Sequence, residues 1–181
     1  MNKIDLATGG LALCYLVNDG EELFTYRSSS RWAFSRLPAW VPLPDEVRKN
    51  GWSQAHVNAA VALIGIHWVG ASLAGRRSGG RSAWFQNATA AWGLHGFIHL
   101  GLCAIRGGYV SGAVTAPLVI GYGAWAWRIL RQEAVPRRVS IGGVAASLPV
   151  LVAAHAGADI LLRAHDALSG AVLGGPGDEE C

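Results

Sequence analysis

Long apolar runs alternate with short charged links along this chain, and the pattern predicts an all-α, polytopic transmembrane helical bundle. About five spans are expected, at about 4–26, 54–75, 84–106, 109–130 and 139–162, because about 20 apolar residues cross a bilayer at ~1.5 Å rise each. The first two are separated by a connector, 27–51, where Arg27, Arg31, Arg36, Arg48 and Lys49 are interleaved with Trp32, Phe34 and Trp40. Arginines at headgroups and tryptophans at the membrane boundary give that composition, so the connector reads as interfacial. Pro38, Pro42 and Pro44 break any long helix there. Pro117 and Pro149 fall inside the last two expected spans, where neighbouring helices can satisfy the freed carbonyls. The tail, 163–181, turns polar and Gly-rich and is expected to fray. All of this fits one membrane domain.

Composition strengthens that reading. Of the 181 residues, 51% are hydrophobic and 15% charged, against about a quarter charged in a soluble domain. The net charge of +3 comes from loop arginines. Apart from the interfacial connector, no basic run interleaved with base-stacking aromatics stands out, so the expected partner is the lipid bilayer and not nucleic acid. Arginine far outnumbers lysine, with abundant Ala and Gly, which points to a GC-rich bacterial source and a multi-pass place in the inner membrane. Cys14, Cys103 and Cys181 form no CxxC and no disulfide framework.

The polar residues that interrupt the apolar runs carry the chemistry. His95 and His99 stand at i and i+4, which stacks both rings on one helix face. His155 and Asp159 repeat that spacing. Glu21 and Glu22 are adjacent acids near the end of the first span. Placed by helical rise from each span's midpoint, these groups and His56, from four separated segments, fall at similar depth on one side of the bilayer. Ionisable residues at such depth are costly and mark functional sites. The expected metal ligands are Glu21, Glu22, His95, His99, His155 and Asp159, with Glu21, Glu22 and Asp159 as candidate catalytic groups. Imidazole with carboxylate suits iron, in one or two ions, and also zinc or manganese. Asp159 could instead fix the His155 tautomer. His56 reads as a headgroup-facing residue, His67 as an interhelical hydrogen bonder, and Trp68 and Trp92 as packing residues able to wall a pocket.

The motifs bear on a family as well. Asn18-Asp19-Gly20-Glu21-Glu22 closes the first apolar run. Asn87 opens a later span that also holds His95 and His99, and Arg106, Tyr109, Gly112, Thr115 and Ala116 follow. This arrangement resembles the HXXEE-domain family of small bacterial membrane proteins, over about residues 10–26 and 84–130. Asn18 stands where that family has His, so either His155 or Asp19 takes over as a ligand or this member is specialised. The resemblance implies the membrane architecture and the importance of Glu21, Glu22 and His99. It assigns no reaction.

The leading expectation is a membrane metalloenzyme, iron-dependent and oxidative, acting on a small or lipophilic molecule, in specialised metabolism. A metal-free cyclase or isomerase with a Glu22 or Asp159 general acid is the first alternative. A small transporter or proton-coupled carrier is the second.

Overall fold

A computed structural model describes residues 2–173. Among them are seven helices and no strand. Helix α1 (Lys3–Phe34) starts at a capping box, in which Asn2 accepts from the Asp5 amide at 2.7 Å and the Asp5 carboxylate accepts from the Asn2 amide. It runs 32 residues, well past the expected end near 26, because nothing between Arg27 and Phe34 breaks a helix. The first proline of the connector is Pro38. A short α2 (Asp45–Asn50) follows Pro44 and ends at Gly51 in the left-handed region.

The next two helices are capped alike. Ser53 accepts from the His56 amide to start α3 (Gln54–Arg77), and Ser82 from the Phe85 amide to start α4 (Ala83–Arg106). Gly107, at φ 66°, stops α4. Helix α5 (Ala116–Gln132) begins well after the expected position near 109, because residues 107–115 form an irregular loop that includes Gly112 at φ 79°. The last two are α6 (Ile141–Ala145) and α7 (Ser147–Leu173). Pro117 opens α5, and Pro149 lies inside the last apolar run, as expected, close after the break between α6 and α7. Each lies in the first turn of its helix, where the missing N–H would have had no intrahelical acceptor. Pro149 also explains the break at Ala146, since it cannot donate to the Ala145 carbonyl. The expected fraying at 163 is not seen, as α7 continues to Leu173. Residues 174–181, with Cys181, lie outside the described part.

Among the described residues three stretches, not five, are long and apolar enough to cross a membrane: α3, α4 and the run Ile141–Ser169 through α6 and α7. Helix α5 falls short in length, at 17 residues. Helix α1 has the length, but Asp5, Asp19, Glu21 and Glu22 lower its hydropathy. Its inner face buries Thr8, Asn18, Asp19 and Glu22, while Leu13, Leu16 and Phe24 are exposed.

Helices α1, α3, α4 and α5 enclose the core, built from Leu11, Tyr15, Trp68, Phe85, Trp92 and Val119. Gly93 and Gly123 bring α4 and α5 to backbone contact; a Cβ on Gly123 would lie 3.1 Å from the Gly93 Cα. Helix α7 packs on the outer side of α3 through Ala154 and Ala158. Large apolar side chains stay exposed on several helices, among them Ile66, Phe97, Ile98 and Ile160. An apolar exterior of that extent fits a lipid surround better than water.

Candidate metal centre

Helix α1 carries two parallel polar stripes, and the two neighbouring glutamates belong to different ones. Asn18, Glu21, Thr25 and Ser29 recur at helical spacing along one stripe. Each of them grips the loop between α4 and α5. The Glu21 carboxylate accepts from the Thr115 amide at 2.8 Å, the Thr115 hydroxyl at 2.7 Å, the Val114 amide at 3.1 Å and the Tyr109 hydroxyl. Asn18 Nδ2 donates to Thr115 Oγ1 at 2.7 Å and to the Gly112 carbonyl at 3.4 Å. Thr25 shares a hydrogen bond with Ser111, and Ser29 accepts from the Ser111 amide at 2.9 Å. A carboxylate facing the first amides of α5 also complements its positive end. The sequence pattern Tyr109, Gly112, Thr115 is thus the loop that Glu21 organises. Glu21 was expected among the metal ligands; in the structure its oxygens are occupied by this loop.

The second stripe is Tyr15, Asp19, Glu22 and Tyr26; Tyr15 donates to the Val61 carbonyl of α3, Tyr26 packs on His155 of α7, and Glu22 reaches α4. Glu22 Oε1 lies 3.1 Å from His99 Nε2 and 3.7 Å from His95 Nε2, and the two ring nitrogens are 2.8 Å apart. The two ring nitrogens are within hydrogen-bond distance of each other; with both rings as Nδ1–H tautomers, all three atoms offer lone pairs to the triangle they enclose. The i, i+4 spacing on α4 brings the imidazoles together. Trp92, one turn earlier, stacks on His95 with centroids 5.1 Å apart, and Trp68 packs on Trp92. Gly112 closes the site from above. A Cβ there would lie 2.6 Å from His99 Nε2 and 2.8 Å from Glu22 Oε1, and its φ of 79° independently favours glycine.

A metal ion fits this triangle. Donors bound to one ion at about 2.1 Å sit roughly 3.0–3.4 Å apart in octahedral or tetrahedral geometry, close to the three sides observed. The close approach of His99 to Glu22 is poorly aligned as a hydrogen bond, so the buried Glu22 Oε1 has no donor, and His99 Nδ1 is likewise buried without a partner. An anionic oxygen left bare in the interior is expensive unless a cation satisfies it. Two imidazoles and one carboxylate on a single face, with the opposite positions free, form the donor set of non-haem iron(II) sites. Among the described residues, Glu22, His95 and His99 are the group that converges in this way. Asp19, buried on the same stripe, stands outside it.

His155 and Asp159, expected in the same ligand set, belong to a different cluster. Asp159 Oδ1 lies 2.9 Å from His56 Nδ1, and His56 Nε2 lies 2.8 Å from His155 Nδ1. His56 was expected at the headgroups; it is buried, with Trp52 stacked flat against it at 3.8 Å and 3°. Trp52 therefore escaped the sequence reading, whereas His56 shares the expected depth of the polar groups without being expected as a ligand. Its other signal was weak: a histidine three residues after an N-cap serine. His67 does take an interhelical bond, accepting from Trp84 Nε1 at 3.4 Å.

Fold and site together define a helical, membrane-type protein with a buried His–His–Glu centre. The chain belongs to the family described as proteins of unknown function with an HXXEE motif, whose match covers residues 10–126. That stretch contains the Glu22–His95–His99 triangle and the whole loop held by Glu21, whereas α7 lies beyond it. No curated protein and no solved structure matches the chain.

Proposed function

We propose that the protein is a multi-pass enzyme of the cell membrane that uses one metal ion, iron, for oxidative chemistry on a small or lipophilic molecule, in specialised metabolism. The observation that carries this reading is the convergence of Glu22 Oε1, His95 Nε2 and His99 Nε2 within 2.8–3.7 Å of one another, with no donor for the carboxylate oxygen. Those three residues would hold the ion. When bound, iron supplies redox and oxygen chemistry at its free positions. The chain's own contribution is to hold the donors on rigid helices, to exclude water with Trp68, Trp92 and the Gly112 loop, and to keep the site in an apolar shell. One ion is favoured over two, because Glu21 is engaged elsewhere and His155 with Asp159 forms its own cluster.

The test is metal content of the full chain purified in detergent and exposed to iron(II), manganese(II) or zinc(II). One ion per chain is expected, iron retained best under anaerobic conditions, and lost in Glu22→Ala and His99→Ala. A wild-type protein that stays metal-free under all three exposures overturns the reading.

A further inference from the structure

The second cluster is built to a different plan, and with Asp159 ionised and both rings neutral one arrangement of protons satisfies every distance in it. Asp159 is an acceptor, so His56 Nδ1 carries a proton toward it at 2.9 Å. His56 Nε2 is then a lone pair, and it accepts from His155 Nδ1 at 2.8 Å. His155 Nε2 is left as a lone pair at the open end of the chain. We infer that Asp159, His56 and His155 form a proton relay, with His155 Nε2 as the accepting base and Asp159 as the outlet.

Position supports that direction: His56 in the middle of the row is only 3% exposed, whereas Asp159 stands one turn before Arg163, toward the polar end of the α7 span. His155 packs against Tyr26, at 6.2 Å between ring centroids, and Tyr26 lies one turn from Glu22 on the same stripe of α1. The open end therefore abuts the helix face that carries the metal-centre carboxylate. Trp52 lies parallel to His56 and 5.5 Å from His155. Its face steadies an imidazolium while a proton passes. Trp52 is itself fixed by a 3.1 Å bond from its amide to Ser30 and by Phe34 set edge-on to its ring.

Transfer balances as follows. A proton arrives at His155 Nε2; the proton on His155 Nδ1 moves to His56 Nε2; the proton on His56 Nδ1 moves to the Asp159 carboxylate, which releases it. One proton enters and one leaves, with no change of oxidation state. The rings end in the opposite tautomer and reset by reorienting. The relay is read from its own distances. Its use as a proton path for the metal centre rests on the proposed function.

The full chain, labelled with 15N histidine and held in nanodiscs, tests this by NMR, with signals assigned through His56→Gln and His155→Gln. Both rings are expected as the Nδ1–H tautomer in the wild type. Asp159→Asn still offers an acceptor, so the tautomers persist, but exchange of the His56 ring proton with bulk water slows by about tenfold as the ionisable outlet is lost. Asp159→Ala releases the His56 tautomer. Nε2–H rings in the wild type, or an Asp159→Ala protein with unchanged tautomers and exchange, overturns the relay. Cobalt(II) binding separates this from the metal reading. Undiminished cobalt in Asp159→Ala and His155→Gln is expected, and its loss there would make these residues ligands and end the relay. A wild type that binds no cobalt counts against the metal centre alone, because the NMR readout needs no metal.

Discussion

Two imidazoles and one carboxylate meet twice in this molecule, and the two meetings differ only in geometry. Around Glu22 the three donor atoms close a triangle with sides of 2.8, 3.1 and 3.7 Å, and each presents a lone pair to the same point. Around His56 the groups stand in a row, each ring using one nitrogen on either side. In the triangle the two ring nitrogens can share one proton, but the buried Glu22 oxygen has no donor, and a cation would satisfy it. A row of alternating donors and acceptors is satisfied as it stands. Identical side chains therefore do opposite work. What decides is whether the histidines come from one helix, as His95 and His99 do, or from two, as His56 and His155 do.

The sharpest break of that contrast is Glu22→Ala. Removing the only carboxylate of the triangle should take metal content from about one ion to background. The same truncation in the row, Asp159→Ala, should leave it unchanged. Elemental analysis of both proteins, with circular dichroism to verify helix content, makes the comparison direct. Equal loss in both would merge the two clusters into one centre.

Gly112→Ala comes next, and it strikes the triangle through the backbone. Its φ of 79° and the approach to His99 and Glu22 both oppose a side chain. Strain of that kind costs about 1–3 kcal/mol. Lower thermal stability and weaker metal binding are expected together, with the His56 and His155 tautomers unaffected. Retention of full metal affinity would show that the loop does not close the site.

How much of this the sequence disclosed follows the same distinction. The pairing of His95 with His99 is legible, because helical spacing alone brings i and i+4 together. So is the Glu21–Glu22 pair as a polar interruption of an apolar helix. What periodicity cannot supply is the rotation of one helix against another. That rotation sends Glu22 toward α4 and Glu21 toward the 107–115 loop, one residue apart and about 100° around the axis. It also brings His56, 99 residues before His155 in sequence, into contact with α7 instead of the headgroups. The count of spans failed for a related reason. The apolar run near 109 was read as continuous with α5, although Gly107 and Gly112 fold it into a loop. The stripe Asn18, Glu21, Thr25, Ser29 was open to detection as a polar face within an apolar helix.

Glu21→Gln separates the two glutamates by effect. The amide keeps one acceptor oxygen but loses the charge, and it places an NH2 against the donors that the carboxylate accepts from. A loss of about 1–3 kcal/mol in stability is expected, read as a lower melting temperature, while one metal ion per chain remains. Loss of the ion at unchanged stability would place Glu21 among the ligands after all.

The smallest expected effect concerns Asn18, the residue at the position of the motif histidine. Its amide reaches only the Gly112 carbonyl and Thr115 Oγ1, both on the loop, and its Oδ1 is buried without a partner. On this evidence the first motif position works with Glu21 in holding the loop, and the last, Glu22, alone reaches the imidazoles. A histidine at 18 offers one N–H to Thr115 in place of the amide. Asn18→His should therefore shift stability by no more than about 1 kcal/mol and leave metal stoichiometry and the cobalt(II) absorption spectrum as in the wild type. Asn18→Leu, which removes the Nδ2 donor from both Thr115 Oγ1 and the Gly112 carbonyl, should cost more. A changed cobalt spectrum in Asn18→His would mean that the new ring enters the coordination sphere, and the triangle would then be a four-residue site that this chain completes with one ligand fewer.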